Sequence, residues 1–187
     1  MLASASPRRL DLLRQIGLEP DSVDPADLNE AAKPDETPRL LAGRLSREKA
    51  RLVAARSPGA YVLAADTVVT VGRRVLPKAE TVEAARACLE LLSGRAHKVL
   101  TGVTLIAPDG REGARLSETR LHFKRLTKPE IEAYLAGGEW RGKAGGYGVQ
   151  GAAGAFVMAL QGSYTGVVGL PLYETRSLLV GLGFLVA

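Results

Sequence analysis

The stretch YVLAADTVVTV, residues 61–71, constrains the fold of this chain more than any other. Its aliphatic and β-branched residues, the turn residue Gly72 and the short run that follows predict strand, turn and strand. The run is apolar enough to be buried, yet it contains Asp66. A carboxylate there is costly unless it caps a turn, pairs with a cation or binds a metal ion. Strand ends are also where α/β proteins place ligands and chemistry. Asp66 is therefore a candidate metal ligand or general base. An Asx turn, or a buried ion pair with one of the many arginines, explains it equally well.

Around this strand the punctuation predicts an α/β or α+β order with a mixed sheet. LASAS, residues 2–6, reads as a strand end, and SPRRLDLLRQIG as a helix with Ser6 as N-cap, Pro7 in the first turn and Gly17 as C-terminal stop. The stretch PDSVDPADLNEAAKPDE is acidic, proline-rich and loop-like. A long helix from about Thr37 to Arg56 follows, then one from Thr81 to Leu92, and HKVLTGVTLIA and EGARLSETRLHFKRL form a long hairpin across PDG. Thr127 and Glu130 make a capping box for TKPEIEAYL. AFVMAL and YTGVVG read as strands, and a closing helix begins near Pro171.

Of the 187 residues 46% are apolar and 24% charged, the balance of a globular chain. The net charge of +5 fits either solubility or an anionic partner such as a nucleotide, a nucleic acid or a membrane surface. The one cysteine, Cys88, excludes an internal disulfide and a multi-cysteine zinc site, and falls on the apolar face of its helix with Ala85, Leu89 and Leu92. No run is long enough to span a membrane and no signal peptide opens the chain, so a cytoplasmic enzyme or binding protein is expected.

Two stretches carry anion-binding chemistry. Arg8 and Arg9 sit at the first turn of a helix, where unpaired N–H groups and the helix dipole attract phosphates. The alternative is that they are solvated or pair with the acidic loop at Asp21 to Glu36. In KAGGYGVQGAAGAF, Gly146, Gly148 and Gly151 match G-x-G-x-x-G, but no strand precedes them and no helix follows, so this is not the dinucleotide fingerprint. Its glycines instead permit close approach of backbone to a ligand or strand. Lys143 and Gln150 frame the loop, and a glutamine amide both donates and accepts. There is no P-loop and no G-x-S-x-G elbow. His97 and His122 read as structural or surface residues, Trp140 as a lone aromatic in a polar loop.

SASPRR, REKA, AADTVV, LSGRAHKVLTGV, KAGGYGVQGAAGAF and GSYTGVVGLPLYET, in this order, resemble the Maf family of nucleoside triphosphate pyrophosphatases over essentially the whole chain, taken as one domain, residues 1–187. The resemblance implies an elongated α/β fold like that of the inosine triphosphatases, with a mixed sheet flanked by helices and two lobes about a central cleft. It also implies homodimers and a divalent cation, Mg²⁺ or Mn²⁺. Arg8, Thr67 and Gln150 match the subfamily acting on dTTP and UTP, whereas the subfamily acting on 7-methyl-GTP has tryptophan, glutamine and glutamate there. By the same resemblance Asp66 is the catalytic proton acceptor, and Ser4, Arg9, Glu30, Lys49 and Lys78 are active-site positions. Asp66 and Glu30 would hold the metal, Lys78 would join them in catalysis, and Lys143 would bind substrate. The family's usual Lys-Pro is Lys78-Ala79 here, and Gly142 replaces its usual acidic residue, which alters loops rather than catalytic side chains. A nucleic-acid-binding module and a non-catalytic nucleotide-binding regulator linked to cell-division arrest are the competing readings.

Overall fold

The computed structural model describes residues 1–184. Helix α1 (Pro7–Gln15) leads into a long acidic loop, and α2 (Pro38–Ala55) starts at Thr37, whose hydroxyl accepts from the Leu40 N–H at 3.3 Å. Strands β1 (Val62–Val71) and β2 (Arg74–Leu76) form the hairpin turned at Gly72. Strand β3 (Lys78–Ala79), helix α3 (Val82–Leu92) and the long hairpin β4 (Ala96–Ile106) and β5 (Glu112–Phe123) follow. Helix α4 (Lys128–Gly137), strand β6 (Lys143–Ala144), a 3-10 turn (Ala152–Phe156), β7 (Val157–Gln161), α5 (Tyr164–Val168) and α6 (Leu172–Gly181) complete the chain.

The main sheet has the order β2-β1-β4-β5-β7, and its strands pair antiparallel throughout. The parallel component of the expected mixed sheet is confined to single bridges from Leu2 to Val23 and Leu63. β3 and β6 pair separately, Lys78 opposite Ala144.

Alternation along β1 divides the core. Val62, Ala64 and Val68 pack under α2, whereas Leu63 and Ala65 meet α1 and α6, and Val69 meets α3 and α4. The second face therefore carries two apolar clusters, one at each end of the long strands, with Thr67 between them. On the α2 face, Asp66 pairs across the sheet with Gly102. A Cβ at Gly102 would run into the Ala42 carbonyl and the Ser46 hydroxyl, so the missing side chain lets α2 lie close to the sheet beside Asp66.

Three readings are corrected. YTGVVG is not a strand: Ser163 accepts from the Gly166 N–H at 3.0 Å and caps the short helix α5, so local capping overrides β-branched propensity. Ala155 and Phe156 belong to the 3-10 turn, and the strand starts at Val157. Trp140 is only 1% exposed, its indole N–H donating at 2.9 Å to the Leu135 carbonyl, which also accepts the Gly138 N–H at the C-terminal end of α4.

Candidate active site

A cleft of about 380 Å³ opens where the two apolar clusters separate. All ten residues singled out in the sequence line it: Ser4, Arg8, Arg9, Glu30, Lys49, Asp66, Thr67, Lys78, Lys143 and Gln150. They come from the N-terminal segment, the acidic loop, α2, β1, β3 and the glycine loop.

The floor is an alternating chain of charge. Lys49 Nζ lies 2.5 Å from Asp66 Oδ1 and 2.5 Å from Glu30 Oε1, and Glu30 also accepts from Lys78. Asp66 is 4% exposed and Lys49 7%, so this is a buried pair whose partners neutralise each other. The cation partner of Asp66 is thus a lysine from α2, not one of the arginines. Glu30 reaches the floor because Arg44 grips its loop, donating to Glu36 at 2.6 Å, to the Ala31 carbonyl at 3.0 Å and to Glu48 at 2.8 Å.

The arginines at the start of α1 play different parts. Arg9 is half-buried and donates to the Gly169 carbonyl at 2.8 Å, to Ser4 Oγ at 2.9 Å and to Thr67 Oγ1 at 3.4 Å. Burial lowers its pKa, Asp66 and Glu30 oppose that, and Arg8 adds to it. Arg8 makes no ion pair among the described residues, and burial lowers its pKa too. Neither arginine pairs with the acidic loop, which is held instead by Arg44 on Glu36 and Arg56 on Asp24. Ser6 occupies the N-cap position, but its hydroxyl makes no capping bond, and its own N–H donates to Ser4 Oγ at 3.2 Å. The first turn of α1 therefore faces the cleft without a side-chain cap.

On the opposite wall, Gly145 and Gly146 hold φ of +68° and +67°, a region closed to most side chains. A Cβ at Gly148 would lie 2.9 Å from Lys143 Cε and 3.0 Å from Gln150 Nε2, so both side chains lie across that glycine. Lys143 has a lowered pKa, mainly through burial and then through Arg8.

A family model described as Maf-like protein matches residues 1–182. The chain belongs to the Maf family. It is 68% identical over 184 residues to a dTTP/UTP pyrophosphatase of Caulobacter vibrioides, covering 98% of this chain and 95% of that one. It is 58% identical over 184 residues to a protein of the same name from Rhodospirillum rubrum, covering 98% and 88%. Among solved structures, a HAM1 protein from Coxiella burnetii aligns with a TM-score of 0.45 and 17% identity over 68% of this chain and 73% of that one.

The donor set of this Maf-family cleft bears on the implied cation. Among the described residues no cluster of three or more His, Cys, Asp and Glu side chains is placed to hold an ion. Asp66 and Glu30 are two carboxylates already sharing Lys49. Mg²⁺ characteristically takes one or two carboxylates and completes its shell with water and substrate phosphates. The residues fit a cation that arrives on a polyphosphate.

Three partners of the site were not picked out in the sequence. The Gly169 carbonyl holds Arg9, Arg44 holds the Glu30 loop, and Tyr147 carries the glycine loop. Only Tyr147 left a trace, as an aromatic ring amid glycines.

The ion pairs set an acid response. Burial raises the pKa of Glu30, but hydrogen bonds from Lys49 and Lys78 outweigh it and hold the carboxyl at about 2. Arg44 holds Glu36 at about 2 as well. A depressed carboxyl pKa stabilises the fold above the unfolded value and loses that contribution as pH falls toward the folded one. Urea midpoints are therefore expected to fall between about pH 4.5 and 2, less steeply in Glu36→Gln. Equal slopes for the two proteins would contradict the linkage.

Proposed function

We propose that this chain hydrolyses dTTP and UTP to the nucleoside monophosphate and pyrophosphate, as a cytoplasmic, homodimeric enzyme that removes surplus or modified pyrimidine triphosphates. One observation carries this reading: a single cleft joins a buried Asp–Lys–Glu chain to cations and an amide from three other parts of the chain. Relatives that cover nearly all of the chain bear the name dTTP/UTP pyrophosphatase.

In the reaction, water attacks the α-phosphorus, the bond from that phosphorus to the bridging oxygen breaks, and pyrophosphate leaves with the electron pair. Asp66 takes the proton released by the water as general base. Lys49, which lies against Asp66, and Lys78 turn their ammonium groups to the phosphate oxygens as charge develops there. Arg9, fixed by Ser4 and Gly169, presents a preset cation, and the uncapped start of α1 adds the backbone N–H of Arg8. Mg²⁺ or Mn²⁺ bound through Asp66 and Glu30 would supply further charge neutralisation on the phosphates. Arg8 and Lys143 complete the positive rim. Gln150 reads the base: its amide matches the C4 carbonyl and N3–H of uracil and thymine, with Arg8 and Thr67 bounding the same subsite.

Incubating the protein with Mg²⁺ and a panel of nucleoside triphosphates, and measuring pyrophosphate, tests this directly. Release from dTTP and UTP well above that from CTP and GTP is expected. Gln150→Glu should lower kcat/KM for UTP about tenfold or more, consistent with the loss of a specific hydrogen bond to the base. Absence of turnover with salt-sensitive binding to nucleic acid would favour the binding-module reading instead.

A further inference from the structure

The aromatic cluster behind the glycine loop contains a polar contact that the chemistry above does not use. His97 on β4 is 2% exposed and Tyr147 on the loop 5%. His97 Nε2 and Tyr147 Oη are 2.7 Å apart. Phe123 packs edge-on against both rings, with centroids 4.8 and 4.9 Å away, so neither ring has room to turn aside. The second ring nitrogen, His97 Nδ1, is buried and makes no well-aligned hydrogen bond, although the Arg95 backbone acts on the ring. A buried unpaired polar atom costs stability, and a phenylalanine or leucine would fill the same space without that cost. Burial pushes the imidazole down to about 4, the Arg95 backbone opposing and His122 adding to the shift, so the ring is neutral at pH 7.

Tyr147 is placed where that contact matters. It lies four residues after Lys143 and three before Gln150, and it lines the cleft. The adjacent Gly148 N–H donates to Tyr134 Oη at 3.3 Å, and the side chains of Lys143 and Gln150 cross the same glycine. The Gly145 N–H donates to the Pro77 carbonyl at 2.9 Å, which fixes the start of the loop beside Lys78. Beyond Gly146 the loop is tied to the body by side-chain polar bonds of Tyr147 and Tyr134 and, further on, by Glu139, which accepts from the Ala152 N–H at 3.0 Å.

We infer that His97 and Tyr147 form a buried positioning pair that sets the register of the glycine loop against β4, and so places Lys143 and Gln150 for nucleotide binding. The inference rests on the proposed pyrophosphatase reading for its substrate. Neither residue touches the reacting atoms. Asp66, Lys49 and Glu30 stand on β1, α2 and the acidic loop, and their ion pairs do not involve the glycine loop. Loosening the pair therefore weakens binding without removing the general base.

The test uses the purified full chain and UTP, with the non-hydrolysable α,β-imido analogue of UTP as a binding probe. Tyr147→Phe keeps the ring and removes only the hydroxyl. It is expected to raise KM for UTP and Kd for the analogue about tenfold, with kcat within about twofold, the signature of lost uniform binding. His97→Phe is expected to do the same, and the double variant to be no worse than either single, since both remove one contact. A fall in kcat with unchanged KM would mark a merely structural role and overturn the inference, as would unchanged KM and Kd or additive losses. If His97→Phe does not fold, the KM and kcat of Tyr147→Phe alone decide. Wild-type protein that fails to turn over UTP would count against the pyrophosphatase reading, whereas wild-type turnover matched by Tyr147→Phe would count against the pair.

Discussion

Asp66→Asn is expected to lower pyrophosphate release from UTP by about 10³-fold, within the range that a positioned general base supplies. Asparagine has nearly the same shape and keeps an oxygen toward Lys49, but it cannot hold the proton taken from water. The position is 4% exposed, and Lys49 retains its second contact with Glu30, so the variant is expected to fold. Initial rates beside a urea melt distinguish lost chemistry from lost structure. A folded variant within tenfold of the wild-type rate would remove Asp66 from the centre of the mechanism.

Lys49→Met should be the most destabilising single change in the cleft. The ammonium is the shared partner of Asp66 and Glu30, with its side chain 9% exposed and that of Asp66 6%. Removing one member of a buried pair leaves an uncompensated charge and costs about 3–5 kcal/mol. Glu30 is protected in part, because it is a third exposed and keeps Lys78. The loss thus falls mainly on Asp66. Urea denaturation at pH 7 should show the deficit, and the double variant Lys49→Met/Asp66→Asn should recover much of it, since the orphaned charge is then gone. A double variant as unstable as Lys49→Met would instead assign the cost to packing of the lysine stem. Turnover should be lost in both.

The helices were legible because their ends are written locally. Thr37, Thr81 and Thr127 each stand at the N-cap of the helix expected after them. The hairpin of β4 and β5 was legible from two long runs across PDG, and β1 from its apolar residues. YTGVVG misled because its composition is that of a strand, while a capping serine and contacts with the sheet decide its form. His97, read as structural or surface, is buried, whereas His122 is exposed; alternation on β5 was visible, but the partner of His97 lies 50 residues away.

The sequence by itself determined most of the element types, the family, and the set of side chains from which a site could be assembled. It left the charge on Asp66 with several possible partners, and it left Arg8 and Arg9 free to join the acidic loop. Tertiary structure settled both. Lys49, 17 residues before Asp66, meets it because α2 lies against the sheet at Gly102, and Arg9 is held by a carbonyl 160 residues away. Caps and periodicity are properties of neighbouring residues, so they can be read along the chain. A buried ion pair depends on where two distant segments cross, and that is a property of packing.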